Sequence, residues 1–496
     1  MSRPAVLARL ARVRPALPGA ARVVVAAGGA GALVWLAGAH ADTLDLAAAS
    51  GVRQAPVAPT SLATSLDAMC PGPELTGLEG VDDVAVAGRV TVASGPAELL
   101  PVPATGKGSA ALAAGSGGLA TLTDRPGAVT GALPTSGPVT LRASGALAPA
   151  LTATQEWSSA AKDLRGLVTT PCRTAATDLW LLAGGAGAGR QERLVLTNPG
   201  GNPVTADVTV HGGSGPLAPP RTVTVTPGGR TTLLLDAVAA DEKTPAVHVA
   251  ADGGGLTATL TDTWIEGTTP KGAETVVPAA DPSTVQVVPA AVLDGRATLR
   301  VVAPGSDEAV TSVTLLDRSG TVTTTADTVL TVGADAVGEL ALPAVPPGTY
   351  SVVVRSDVPV AAAVLTRTAN GSGAGDIGWA ESSPVIDAVA GLALPPTPSV
   401  ARSLHLVSTG GASTADVTVV VDGEPRTRTV ALVSERSADV DLAGASAVWV
   451  ERTDGSGALR GGVVSSVGDG AGRLLSVVPL APVAVTSPVS RAFPLP

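Results

Sequence analysis

Apolar and polar residues alternate in short runs along most of this chain, with turn residues about every 8–12 positions. Residues 84–93, reading VAVAGRVTVA, are the first clear case. A period of two sends successive side chains to opposite faces of a sheet. Val and Thr dominate the runs, and β-branched side chains suit a pleated, half-buried surface. No window of helical period is long enough to cover a sheet, which argues against βαβ folds. The pattern predicts an all-β fold: tandem immunoglobulin-like β-sandwich units behind an N-terminal signal or anchor helix.

The runs repeat. Leu194-x-Leu196, Leu299-x-Val301 and Leu404-x-Leu406 follow one another at intervals of 105 residues. A turn follows each in step: Asn198-Pro199-Gly200-Gly201, Ala303-Pro304-Gly305-Ser306 and Ser408-Thr409-Gly410-Gly411. Pro then Gly at the central positions fits a type II turn. The next strands cover residues 206–210, 311–315 and 415–419, with Val208, Val313 and Val417 predicted to point inward. Later in each unit, residues 247–249 with Asp252, 352–354 with Asp357 and 448–450 with Asp454 read as a strand entering a hairpin. A degraded earlier copy is present: residues 151–154 with Trp157 resemble residues 256–259 with Trp264. The predicted units are 70–180, 181–290, 291–396 and 397–496. A period near 105 suits a seven- or eight-strand sandwich and is too long for a solenoid turn or a propeller blade.

Composition changes this picture little. Hydrophobic residues make up 45% of the 496 but aromatic ones only 2%, so Val, Leu and Ala must fill the cores. The 59 Gly and 41 Pro are about a fifth of the chain, below the ~25–30% of low-complexity disorder.

Charge says more. Residues 1–22 hold five Arg and no acid, and an apolar run of 17 residues, 23–39, follows. Small-x-small sites at 37–39 and 39–41 complete the form of a secretory signal within residues 1–41. A cleaved signal and a retained anchor in the cytoplasmic membrane both fit the run's length. Either route places residues 42 onward outside the cytoplasm, with 42–69 as a linker. Five of the 32 basic residues lie in that leader, leaving 27 against 42 acidic ones. An acidic exported body argues against nucleic acid as a partner, since phosphate binding needs clustered Lys and Arg. Two cysteines are present, Cys70 and Cys172, and in an oxidising compartment a lone pair reads as a disulfide. A metal site or a nucleophile would need histidines nearby, and there are none.

Leu179-Trp180, then Gly184-Gly185, Arg193-Leu194-Val195-Leu196-Thr197-Asn198-Pro199 and a V-x-V strand, resemble a family of exported actinobacterial β-sandwich repeat proteins known only as a domain of unknown function. Cys70-Pro71-Gly72-Pro73 and Pro171-Cys172 match that family as well. The resemblance implies an envelope-associated location and no activity.

Chemistry is sparse. His40, His211, His248 and His405 share no ligand spacing, so no metal or other cofactor is expected. Ser159-x-x-Lys162 has the spacing of a penicillin-binding-type nucleophile but lacks the helix and companion motifs that chemistry requires. The acids Asp82-Asp83, Asp307-Glu308, Asp439 and Asp441 single out no glycosidase pair. Residues 184–189 form a Gly-rich loop without the Lys and helix of a phosphate cradle. Exposed indoles could stack on sugar rings, although a Trp in an aromatic-poor sandwich is more often a core filler. The possible ligand surface is therefore Trp180, Gly184, Gly185 and Trp264. The expected function is that of a non-catalytic exported cell-envelope scaffold or interaction surface, its partner an envelope protein or cell-wall polymer. The alternative is a glycan-binding module using exposed Trp, with a cryptic hydrolase behind it.

Overall fold

The computed structural model describes residues 61–487 apart from 79–80, 236–238, 240, 295, 325–327, 369–372 and 469–471. The leader 1–41 and most of the linker fall outside the described residues. What is described is all-β, as the alternation predicts; a single 3-10 turn, Ala97–Leu99, is its only helical element with bounds.

The strands form antiparallel sheets that face each other in pairs, each pair enclosing a core. In the first sandwich one sheet runs Ser65–Cys70, Val139–Gly145, Gly108–Ala114, Gly117–Leu122, and the other Gly127–Ala132, Gly88–Ser94, Leu151–Ala160, Arg165–Pro171. Val90, Val92, Leu112 and Leu141 meet between them. The second sandwich is centred on Arg190–Thr197 and Val204–Gly212, the third on Arg296–Val302 and Ala309–Asp317, the fourth on Ala401–Thr409 and Ser413–Val421. The repeated Leu and Val positions are buried at these centres, including Val208, Val313 and Val417. The strand Gly88–Ser94 takes the same place in the first sandwich. Val92 lies opposite Ala153 as Leu196 lies opposite Ala258 and Leu406 opposite Gly461. Its Val90-x-Val92 is thus a first copy of the motif, 104 residues ahead of Leu194-x-Leu196.

Three local expectations need correction. The expected hairpins are crossovers between sheets: Ala246–Ala251 and Thr257–Glu266 lie in opposite sheets of one sandwich, as do Ala445–Gly455 and Ala458–Val467. In the third unit one continuous strand, Gly348–Arg367, serves both sheets, bending at the exposed residues around Asp357. Only the second and third of the repeated turns have a glycine at positive φ, Gly305 at 104° and Gly410 at 70°. The first is held instead by the Asn198 side chain, which accepts from Gly200 N–H at 2.9 Å and donates to the carbonyls of Asn202 and Val225. Finally, Asp178–Leu181, expected at the border of the first two units, pairs only with Ala246–Ala251 of the second.

The sandwiches do not string out in a row. The last strand of each packs against the last strands of its two neighbours: Arg165–Pro171 on Thr269–Val276, that on Ile377–Glu381, that on Leu474–Pro479, and this last back on Arg165–Pro171. Four sandwiches therefore close a ring around four central strands. The ends of the described chain also meet. Ala63 N–H donates to Val485 O at 3.0 Å, and Ser487 N–H donates to Ser61 O at 2.9 Å.

Candidate functional site

Four central strands can approach closely only if small residues face one another, and each strand has a glycine near its start and runs to a proline: Gly166 to Pro171, Gly272 to Pro278, Gly378 to Pro384, Gly472 to Pro479. A Cβ on Gly166 would sit 2.5 Å from the Ala273 carbonyl oxygen, one on Gly272 2.2 Å from the Ile377 nitrogen, and one on Gly378 2.9 Å from a Leu475 methyl. Each bare position admits the next unit's strand.

Edge strands brought together without mutual ladder bonding leave N–H groups to be satisfied. Asp376, fully buried just before the third unit's central strand, answers that need. Its Oδ2 accepts N–H from Leu475 (2.8 Å) and Leu167 (3.4 Å), and its Oδ1 from Ile377 (2.9 Å) and Ala273 (3.2 Å). One carboxyl thus joins all four sandwiches. Burial pushes it well above the ordinary carboxylate range, and the four N–H donors pull the other way.

Two more acids line the seam. Glu274 Oε1 accepts from the Ser476 hydroxyl (3.1 Å), whose oxygen accepts from Thr169 N–H (3.1 Å). Glu274 Oε2 and Glu381 Oε1 are buried without a protein partner. Burial, then the charges of Asp376 and Glu381, raise the Glu274 carboxyl well above its usual value. Burial raises that of Glu381 likewise, against the pull of Arg173. A folded-state pKa above the unfolded one makes these groups' contribution greatest below the unfolded carboxyl pKa, about 4.3, and erodes it as pH rises toward the folded value. Stability should therefore fall as pH rises above about 5. Glu381→Gln should flatten that fall, so that the variant gains on the parent as pH rises, read from denaturant midpoints across pH.

The three fully buried tryptophans join units rather than face solvent. Trp157 packs with Val168 and Ala273 where the first and second units meet, its Nε1 donating to the buried Glu74 at 2.9 Å. Trp379 of the third unit donates to Asp262 of the second at 2.9 Å and lies under the Arg300 guanidinium. Burial would raise the Asp262 carboxyl, but Arg190 beside it and the Trp379 hydrogen bond hold it below its ordinary value. Trp449 of the fourth unit donates to Ala150 O of the first at 3.2 Å, and the buried pair Arg402–Glu156 at 2.6 Å links the same two units.

The four residues expected as a ligand surface are divided between two places. Gly184 and Gly185 wrap the Glu192 carboxylate, which accepts from Gly185 N–H at 2.8 Å, while Arg300 donates to Gly184 O at 3.0 Å. A Cβ on Gly184 would lie 2.5 Å from Glu192 Cγ, so the loop is packed there. Trp264 is partly buried beneath two guanidiniums, Arg190 at 5.6 Å and Arg367 at 5.2 Å. Trp180 is buried in another cluster, stacked on His248 with ring centroids 4.3 Å apart and near His211. These three side chains form one wall of an open groove of about 760 Å³ whose other residues are mostly prolines and alanine.

Cys70 and Cys172 are bonded to each other, consistent with an oxidising, extracytoplasmic setting. Ser159 lies on a strand, not a helix, and its hydroxyl donates to Leu164 O at 2.9 Å. Among the described residues no group of three or more His, Cys, Asp or Glu is placed to hold a metal ion.

The seam, the site that organises the molecule, was not anticipated from sequence. Its signal was a glycine five to seven residues ahead of a proline, four times, at the end of each unit.

Residues 122–443 match the model of a family of unknown function, DUF5719. The chain belongs to that family. The match spans three of the four seam glycines, Asp376 and Cys172. No curated protein matches the chain. Among solved structures, a glycoside hydrolase family 32 from Bifidobacterium adolescentis is similar over 84% of this chain and 95% of its own, at 10% identity and a TM-score of 0.13. So low a score carries no argument about fold or chemistry.

Proposed function

We propose that this protein is a non-catalytic, exported cell-envelope scaffold: a closed ring of four sandwiches that offers its outer faces to an envelope protein. The observation that carries this reading is the use of the buried polar groups. Asp376, Glu274, Asp262, Glu156 and all three fully buried tryptophans sit where units join. The outer faces of the second and fourth units share a polar pair. Thr222 donates to Asp207 at 2.6 Å, and Thr429 donates to Asp416 at 2.6 Å, each within a strand pair whose outer member is largely exposed. Such threonine-rich faces suit an interaction surface. A glycan-binding role through exposed indoles draws less support, since every described tryptophan is buried or partly buried.

The test is photo-crosslinking of the full-length protein in intact envelopes, with the reactive group placed at Arg221 or Arg428 on these exposed strands. One predominant protein adduct is the expected result. Adducts confined to cell-wall polymer would replace the proposed partner with a glycan. Turnover of a cell-wall substrate by the purified protein would overturn the non-catalytic reading.

A further inference from the structure

The segments that follow the four central strands converge at one end of the ring axis and enclose a cavity of about 260 Å³. Arg173 comes from the first unit, Leu256, Pro278 and Asp281 from the second, Pro384 from the end of the third and Pro479 from the fourth. A smaller cavity of about 100 Å³ shares Arg173 and reaches Cys172.

Two of the charged groups lining it make no side-chain hydrogen bond or ion pair among the described residues, whereas a third, Asp178, pairs with His248 at 3.3 Å. The Arg173 guanidinium makes no side-chain hydrogen bond or ion pair among the described residues, and its Nε is buried without an acceptor. Its backbone is fixed: Arg173 and Met69 exchange N–H···O bonds of 2.9 Å beside the Cys70–Cys172 bond. The nearby acid, Glu381, is not within ion-pair distance, and burial favours its neutral form. The Asp281 carboxylate, exposed on the opposite segment, also makes no described hydrogen bond or ion pair. A desolvated guanidinium favours a carboxylate from the ligand, and an unpaired carboxylate favours an ammonium.

We propose that the axial pocket binds a free apolar α-amino acid, its carboxylate on Arg173, its ammonium at Asp281 and its side chain against Leu256 and the ring of prolines. The cavity is open on one side and admits a small ligand such as leucine. The site is independent of the scaffold reading: either can fail without the other.

The test is calorimetric titration of the full-length, oxidised protein with L-leucine, N-acetyl-L-leucine, which keeps only the carboxylate, and L-leucine methyl ester, which keeps only the ammonium. L-leucine should bind saturably with a Kd of about 1 mM or tighter, and each blocked form about tenfold more weakly. Arg173→Gln should weaken leucine and N-acetyl-leucine by about tenfold, and Asp281→Asn should weaken leucine but leave N-acetyl-leucine unchanged. Absence of saturable binding, or equal binding of leucine and N-acetyl-leucine, would overturn the proposal. Thermal melting checks that the variants fold. If Arg173→Gln does not, Asp281→Asn, at an exposed margin away from the seam, decides alone.

Discussion

Asp376→Ala is expected to lower the stability of the whole ring by about 3–5 kcal/mol, the cost of removing one partner from a buried charge-assisted network. The alanine leaves four N–H groups, of Leu167, Ala273, Ile377 and Leu475, inside the seam with no acceptor. Each orphaned buried donor costs about 1–3 kcal/mol, and partial relaxation keeps the total below the sum. Asp376→Asn separates acceptor from shape. Its carbonyl oxygen can still serve Ile377 and Ala273, but its amide would point N–H groups at the N–H groups of Leu475 and Leu167. About half the loss is expected. Urea denaturation followed by Trp fluorescence is the measurement, because tryptophans stand at the junctions between units. If the ring unfolds as one, the midpoint moves and the slope does not. If the seam is what makes it one, the alanine variant splits the transition into more than one step. A variant as stable as the parent would show that the four donors are satisfied in another way and that Asp376 does not join the units.

Much of the fold was legible in the sequence because a sandwich core is a local pattern. Alternation gave the strands, and the recurrence of Leu-x-Leu with an inward Val gave their place in each unit, since a one-residue slip would turn every side chain to the wrong face. The crossovers were harder to read. A strand that ends at Asp252 or bends at Asp357 and continues in the opposite sheet has the same residues as one that turns back on itself. Closure of the ring was not legible from these motifs, because it depends on what the outermost strands of different units present to one another. Val168, Ala273 and Leu475 read as ordinary core residues, and the glycines Gly166, Gly272 and Gly378 read as turns. Only their joint spacing relative to Pro171, Pro278 and Pro384 marks a shared surface. Asp376 carries no signal of its own, since it occurs once where the strands it joins occur four times. For the same reason, a search for paired or clustered catalytic acids passes over it.

The site residues divide along similar lines. Cys70 and Cys172 were predictable from number and compartment. Trp180, Gly184, Gly185 and Trp264 were singled out because they lie together in the sequence or recur in type. The fold instead ties Gly184 and Gly185 to Glu192 and Arg300 and buries Trp180 against His248. Arg173, one residue past the second cysteine, was invisible until the disulfide, the Met69 bridge and the ends of four strands were seen to meet around it.

Removal of the disulfide is the other large effect expected. Cys70 closes the strand Ser65–Cys70 in one sheet of the first sandwich, and Cys172 follows Arg165–Pro171 in the other, 102 residues away. A loop of that length limits the unfolded chain by about 4–5 kcal/mol in the chain-entropy account. The Cys70→Ser/Cys172→Ser double variant, or the reduced parent, should lose stability of that order in urea. The consequence reaches beyond the first sandwich, because Arg165–Pro171 is also its contribution to the seam. Leu167, which donates to Asp376, lies five residues before Cys172. The two perturbations should then be less than additive: Asp376→Ala should cost less in the disulfide-free protein by about 1 kcal/mol or more, since part of what it breaks is already loosened. Full additivity in that double-mutant cycle would mean that the disulfide and the seam stabilise the ring independently, and that the first sandwich can weaken without opening it.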